Sequence, residues 1–267
     1  MKLLKVFRKG LVSPFRQMKY KKGKTYVCKD FCDDKKADCA SGFFATDWDG
    51  LSYAFRKGLS VYVVEVSGKK VEYDQFKRRY EKIKILTKLP IKEIKAGLKQ
   101  NSDKAGYDLY KASFPHNPLS KMTIPTEQDI DNLKKWASVW ASVRNSGWDS
   151  VWVSVRDSVW NSVGDSVRDS VWNSVGDSVR DSVWDSVWNS VGDSVWASVR
   201  NSVEGYISSI FHKKNEWQHI DHQKGVNPFQ SCIDLWNKNL VPSYDGEIWR
   251  LHSGKDAKIV YEYKIKE

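Results

Sequence analysis

The stretch Ala137–Glu204 is a single four-residue unit, [Asp/Asn/Ala]-Ser-Val-[Trp/Arg/Gly], repeated seventeen times without a gap, with Val153 in one first slot and Glu204 in the last fourth slot. Ser fills the second slot of every unit, and Val fills the third in all but one, where Gly147 stands. A strict period of four fits few backbones. In an α-helix, about 100° per residue returns each unit to its starting slot rotated by about 40°. Val then lies opposite the polar first slot and is flanked by Ser and by Trp, Arg or Gly, which makes the helix amphipathic. Asp165 and Arg168, like Asp177 and Arg180, fall at i, i+3, a spacing that pairs charges on a helix surface. The rotation sets a limit. A straight helix cannot keep its Val stripe on one face for seventeen units, so it must supercoil, bend or break, and Gly147, Gly164, Gly176 and Gly192 are the places to break.

A β-solenoid is the alternative, with each unit one side of a coil and Asn, Asp and Gly at the corners. Its weakness is period-2 alternation, which puts Val on the same face as the first-slot residues and leaves no clean apolar face. Intrinsic propensity does not favour the helix either, so buried Val and Trp must supply the stability. The residues before the array tip the balance toward helix. Pro125-Thr126-Glu127-Gln128-Asp129-Ile130 is a helix opening, with Thr126 as N-cap and acids in the first turn. Ile130 and Leu133 start an apolar face that runs into Ala137 and Trp140 with no turn signal between.

The unit varies only where a single base change suffices. Trp, Arg and Gly codons are one base apart, and those of Asn, Ala and Val are each one base from Asp. Asn161–Trp172 recurs unchanged as Asn173–Trp184, which indicates growth by duplication of a short DNA unit. Slot four therefore reads as a tunable display surface of Trp and Arg, the residues that dominate binding hot spots. Its candidate binding residues are Trp160, Arg168, Trp172, Arg180, Trp184, Trp188 and Trp196.

Charge divides the chain in the same way. The formal charge is +11, the array carries −4, and the rest therefore carries +15. Basic flanks suit an anionic partner, nucleic acid among them. Four Cys in 267 residues are too few for a disulfide scaffold. The start, Met1-Lys-Leu-Leu-Lys-Val-Phe-Arg-Lys, is too charged for a signal peptide, and no stretch approaches the roughly 18 apolar residues of a membrane span. A soluble, cytoplasmic protein with no membrane partner is the expectation.

Taken in order, residues 1–100 read as a mixed α/β domain. Lys5–Arg8 is a short strand, Met18–Val27 a hairpin turning at Gly23, and Gly42–Thr46 a strand ending at a helix capped by Thr46 or Asp47. Ser60–Val66 follows as a strand closed by Ser67-Gly68 into Lys70–Tyr73. Ile83, Ile85 and Thr87 alternate with lysines on another strand, and Ile91–Leu98 is a short helix. Residues 101–125 read as a linker, 126–206 as helix entry plus array, and 207–267 as a C-terminal α+β cap. The cap contains a helix opening at Pro228, turns at Pro242 and Asp245-Gly246, and an antiparallel hairpin of Ile248–His252 with Lys258–Ile265. The fold class is thus α+β: a small mixed N-terminal domain, a tetrapeptide-repeat rod, and a small helix-plus-hairpin C-terminal domain.

The whole chain resembles an uncharacterised family of bacterial and phage-encoded proteins. The likeness rests on Phe7-Arg-Lys-Gly-Leu11, Tyr20–Tyr26, Cys39-Ala-Ser-Gly-Phe-Phe-Ala-Thr46 and Val64-Glu-Val-Ser-Gly68. It continues in Asn227-Pro-Phe-Gln-Ser-Cys-Ile-Asp-Leu-Trp236, Val241-Pro-Ser-Tyr-Asp-Gly246 and Trp249-Arg-Leu-His252. Tetrad arrays lie between such ends, and the resemblance implies no established chemistry.

Chemistry is otherwise thinly marked. Arg8 on an early strand and Gly42–Thr46 before a helix look like the first two strands of an ADP-ribosyltransferase. That resemblance implies Arg8 gripping a cofactor phosphate and a carboxylate, Glu65 or Glu93, facing an oxocarbenium-like state. Cys28, Cys32 and Cys39 offer three zinc thiolates at a spacing unlike the usual paired one. His219 and His222 sit in a polar stretch. Phosphate-loop, Gly-x-Ser-x-Gly and HExxH motifs are missing from the sequence. The reading is a non-enzymatic interaction or scaffold protein with no cofactor, binding a protein partner or itself. A nucleotide-using transferase and a nucleic-acid-binding protein are the alternatives.

Overall fold

The computed structural model describes residues 1–14, 16–37, 40–55, 58–72, 78–145, 172, 179, 182–183, 192–211, 222–223 and 225–264. They are mixed α and β, with antiparallel sheets. The chain divides into two compact units, Met1–Ser113 and Phe114–Glu267.

In the first unit, β1 (Lys2–Phe7), β4 (Ser60–Glu72), β5 (Arg78–Lys88) and β2 (Thr25–Val27) form a sheet in that order, and β3 (Phe43–Ala45) pairs with β5. Thr46, just past β3, exchanges both backbone hydrogen bonds with Leu4 of β1, so the strands wrap back on themselves. Alternation along the strands fills the interior with Leu3, Phe7, Phe43, Ala45, Val64, Val66, Tyr80, Ile83 and Ile85. Tyr20 joins them edge-on, with its ring centroid 5.4 Å from that of Phe7. Leu4, Val6 and Val61 point the other way and are buried as well.

Helix α1 (Trp48–Ala54) starts at Asp47, whose carboxylate accepts from the Gly50 N–H, as the capping pattern predicts. Two strand readings change. Met18–Val27 is not a hairpin: Lys19 bridges Val12, and β2 pairs with β5. Ser60–Glu72 is one strand, because Gly68 (φ +79°) sits at a register shift and lets β4 continue through it.

The second helix also outruns its expected end. Helix α2 (Ile91–Ala105) buries Ile94, Gly97, Leu98 and Ser102 on one face. Asn101 and Ser102 look like breakers in the sequence, but inside the helix they donate back to the Gly97 and Leu98 carbonyls. Gly106, at φ +80°, then ends it. Helix α3 (Leu109–Ser113) is tied on by the Leu109 N–H, which donates to Ser102 Oγ. Residues 101–113, which read as linker, therefore contribute helical turns and the buried Tyr107, Leu109 and Ala112.

In the second unit, α4 (Glu127–Asn145) opens as the sequence predicts. The Thr126 N–H and Oγ1–H both donate to Asp129, at 2.9 and 2.7 Å, and Lys238 reaches the same carboxylate at 2.7 Å. This is one half of a capping box, the acidic side chain reaching back to the N-cap N–H, while the Asp129 N–H bonds the Thr126 carbonyl rather than its hydroxyl. Helix α5 (Gly192–Ser208) carries the last three array units, and α6 (Gln230–Asn237) starts two residues later than expected. Asn227 holds that entry as a turn, its Oδ1 accepting from the Phe229 N–H. Strands β6 (Val241–Tyr244), β7 (Ile248–Ser253) and β8 (Lys258–Lys264) form an antiparallel sheet in chain order. Pro242, expected in a turn, lies within β6, an edge strand, where a residue without an N–H is tolerated.

One core joins these elements. Leu133, Trp136, Ala137 and Trp140 of α4 share it with Ala197 of α5, with Phe229, Cys232, Ile233 and Leu235, and with Trp249 and Leu251 of β7. The first and sixteenth array units therefore meet on the C-terminal module. A single straight helix would set Trp140 and Ala197 about 85 Å apart, at about 1.5 Å per residue. Both described ends of the array are α-helical. Most of 146–191 lies outside the described residues, although Val179 and Val183 are helical and fully buried.

Candidate functional site

The array surface is clearest on α5. Val195, Val199 and Val203 are buried there, and so are Ser198 and Ser202. Each of these serines returns its hydroxyl to the helix, Ser198 to the Val195 carbonyl and Ser202 to the Ser198 carbonyl, both at 2.9 Å. Ser198 Oγ also accepts the Tyr244 N–H of β6 at 2.8 Å. A small side chain that satisfies its own donor can thus sit in a close helix–strand contact where a larger polar one could not. The fourth slot is mixed, with Glu204 buried and only Trp196 and Arg200 reaching the surface. Trp196 is 39% exposed, and the half-buried Arg200, one unit later, places its guanidinium 6.0 Å from the Trp196 ring centroid.

Helix α4 uses other slots. Ala137 and Trp140 are buried, Val139 is partly buried, and Ser138 is exposed. Slot four points into the core at this end, so the division into buried Ser-Val and displayed Trp-Arg holds on α5 and not on α4. Ordinary 3.6-residue periodicity carries the core face from Leu133 through Trp136 and Ala137 to Trp140. Trp140 makes an edge contact with Trp249 at 6.2 Å. Of the seven candidate binding residues, Trp196 is exposed and Trp172 is half-buried. Trp160, Arg168, Arg180, Trp184 and Trp188 lie outside the described residues.

The first unit holds a cavity of about 810 Å³, lined in part by Lys5, Met18, Val27, Phe43, Thr46 and Arg78. Lys5 is only 9% exposed, and its ammonium donates to the Phe44 carbonyl at 2.6 Å. Burial lowers its pKa to about 8. Thr46 is buried, and its Oγ1 has no hydrogen-bond partner. Arg78 is engaged, its guanidinium bonding Asp47 with Glu72 also close by. Of the residues that the transferase resemblance singles out, Thr46 lines the cavity, whereas Arg8, Glu65 and Glu93 are exposed and do not. Sequence reasoning missed Lys5 as a site residue. Its one signal is a lysine at the inward position between Leu3 and Phe7.

The cysteine loop is organised from β5. Arg79 is 1% exposed, and its guanidinium donates to the backbone carbonyls of Cys32, Asp34 and Ala37. Cys28 Sγ donates to Asp30 at 3.3 Å. Burial, then that hydrogen bond, raises the thiol pKa, opposite to a thiolate poised for metal. Cys39 and His219 lie outside the described residues. Among the described residues, no group of His, Cys, Asp and Glu could hold a metal ion, and no helix is long and apolar enough to cross a membrane.

The second unit contains a buried Ser–His pair. His252 Nδ1 lies 2.9 Å from the Ala257 carbonyl, an acceptor only, so Nδ1 carries the proton. Nε2 then accepts the Ser243 hydroxyl at 2.7 Å. Ser243 and His252 are both fully buried, so the pair fixes β6 to β7 and meets no substrate. Cys232 is buried too, and burial pushes its thiol up to about 12.

Comparison with curated proteins and with solved structures gives no match. Residues 1–97, which span all five strands of the first unit and the first turns of α2, match the family model described as a domain of unknown function, DUF7666.

Proposed function

We propose that the chain is a non-enzymatic interaction protein whose array presents slot-four Trp and Arg to a protein surface, and that a second copy of the array is the partner its chemistry fits first. One observation carries this reading. On α5 the repeated Ser and Val are spent on internal packing, while Trp196 stays exposed with Arg200 stacked beside it. Repeated along the array, exposed Trp of this kind would build the contiguous apolar surface that marks an interaction site. Trp and Arg interspersed along one slot would complement a second array, because the pairing made within the chain can be made between chains.

Sedimentation velocity of the full chain at tens of micromolar tests the reading. Self-association is expected, and Trp196→Ala with Arg200→Ala should shift the distribution toward monomer. A wild-type chain that stays monomeric, or a double variant that assembles as before, would sink it.

A further inference from the structure

The chain's positive charge gathers in one unit. Met1–Ser113 holds 27 Lys and Arg against 13 Asp and Glu, a formal charge of +14, whereas Phe114–Glu267 holds 17 against 20 and is net acidic. Solubility alone does not ask for that asymmetry, and a field of one sign draws in anions.

Within the basic unit, lysines line up on α2. Lys92, Lys95 and Lys99 are exposed and recur at three- and four-residue spacing. They form one stripe of the helix, about 10 Å from end to end. Like charges so spaced repel, yet two of them converge. The Lys95 and Lys99 ammoniums lie 5.8 and 4.7 Å from the ring centroid of Tyr110, on α3. An aromatic ring attracts a cation without neutralising it, so both long side chains are steered to one place with their charge intact. Acids do little to cancel this stripe. Asp108 pairs with Lys111 at 3.8 Å, and Glu93 stands about 100° round the helix from Lys92. Asp103 follows Lys99 by one turn, but among the described residues Lys92 and Lys99 have no ion-pair partner.

A line of ammoniums asks for a partner whose own charges recur along a line. A nucleic-acid duplex offers this, with one phosphate about every 3.4 Å of axis on each strand. Helix α2 carries lysine and no arginine, which suits phosphate met as a point charge better than a carboxylate gripped by a planar fork. A lipid surface would also ask for apolar side chains to insert beside the charges, and among its large apolar residues α2 exposes only Ile91.

We propose that the Lys92, Lys95 and Lys99 face of α2, with Tyr110 positioning two of the ammoniums, binds the phosphate backbone of a nucleic acid without reading its sequence. This surface belongs to the first unit and does not depend on what the array binds.

Fluorescence anisotropy of a labelled oligonucleotide, as duplex and as single strand, titrated with the full chain tests this. Binding to either form should weaken at least about tenfold between roughly 50 and 200 mM salt. Lys92→Gln with Lys95→Gln and Lys99→Gln should weaken it at least about tenfold at the lower salt and flatten the log–log salt slope by about two, the loss of two to three phosphate contacts. The control removes the same charge elsewhere in the unit: Lys21→Gln with Lys22→Gln and Lys24→Gln should cost no more than about threefold. Tyr110→Phe keeps the ring and should bind as wild type, whereas Tyr110→Leu should bind severalfold more weakly. Urea midpoints establish that each variant is folded. No binding at the lower salt, affinity indifferent to salt, an equal loss in the two triple variants, or wild-type affinity in folded Tyr110→Leu would overturn the inference. So would a chain that binds phosphatidylserine vesicles through the same lysines and leaves the oligonucleotide free.

Discussion

Lowering the pH from 7 to 5 should remove about 2 kcal/mol from the folding free energy of the C-terminal unit through one side chain, His252. Burial is the main cause of its lowered pKa, about 4 against an ordinary 6.5. The Ala257 carbonyl opposes the shift, Arg250 adds to it, and Glu262 works weakly against it. The sign follows from proton counting. Above pH 6.5 the ring is neutral both folded and unfolded, and its contribution is fully present. As pH falls, the unfolded chain takes up a proton that the folded one refuses, so stability drains between 6.5 and 4. With 1.36 kcal/mol per unit, the loss reaches about 2 kcal/mol at pH 5 and about 3 kcal/mol at pH 4.

Neighbouring groups fall largely outside this window. In Asp245 burial opposes the shift, but the Ile248 and Glu247 N–H groups and Arg250 hold the carboxyl below its usual range. Asp129 is likewise held down, against its own burial, by Lys238 and Thr126. Both carboxylates are fully ionised above about pH 5 in either state, so their stability is lost only at lower pH. His116 shifts in the same direction as His252, chiefly through burial, so the control is a variant rather than a buffer. Urea unfolding followed by Trp emission reports this unit, because Trp48 is the one Trp within residues 1–113. His252→Gln has nothing to titrate there and should lose about 2 kcal/mol less than wild type between pH 7 and 5. If wild type and variant lose the same amount, the buried-imidazole argument is refuted.

Three further substitutions test the packing. Ser138→Ala, on the exposed face of α4, should be neutral or stabilising by up to about 0.5 kcal/mol from helix propensity, whereas Ser198→Ala strips the Tyr244 N–H of its acceptor and should cost about 1–2 kcal/mol; urea midpoints of the pair decide whether slot-two serines act differently at the two ends. Gly97→Ala would set a Cβ 2.1 Å from the Trp48 ring, and the clash should outweigh the helix-propensity gain by about 1–3 kcal/mol, read as a lower calorimetric Tm for the first unit. Arg79→Met leaves the Cys32, Asp34 and Ala37 carbonyls without their shared donor, so limited proteolysis should cut within 31–42 at least tenfold faster than in wild type.

What was legible followed from local chemistry. Ile83 and Ile85 alternate with lysines and are fully buried on β5. Thr126 and Asp129 close the α4 cap, and Ile248–Ser253 pairs with Lys258–Lys264. What was missed depends on partners distant in sequence. Pro242 reads as a turn because its neighbours do not reveal that β6 lies at a sheet edge. Asn101-Ser102-Asp103 reads as a break because nothing local shows the two side chains folding back onto their own helix. The cavity is invisible for the same reason: Lys5 and Thr46 line one chamber through a strand closure spanning about forty residues.

The array obeys its own geometry more strictly than its own composition. The sequence invites the inference that slots two and three are constant because every unit buries them. The two described ends disagree, since Ser138 is exposed and Ser198 is fully buried. A rotation of about 40° per unit makes such disagreement unavoidable, because no slot of a four-residue unit can keep facing one neighbour along a helix. Constancy must then have two sources. Duplication supplies one, visible in the identity of Asn161–Trp172 with Asn173–Trp184. Packing supplies the other only where a neighbour is close, as where Tyr244 of β6 reaches Ser198. Slot four shows the converse, buried as Trp140 against Trp249 and exposed as Trp196 beside Arg200. The same residue type thus anchors the array to its C-terminal module at one turn and is displayed at another. Helix phase, not residue identity, decides which of these two rings is buried.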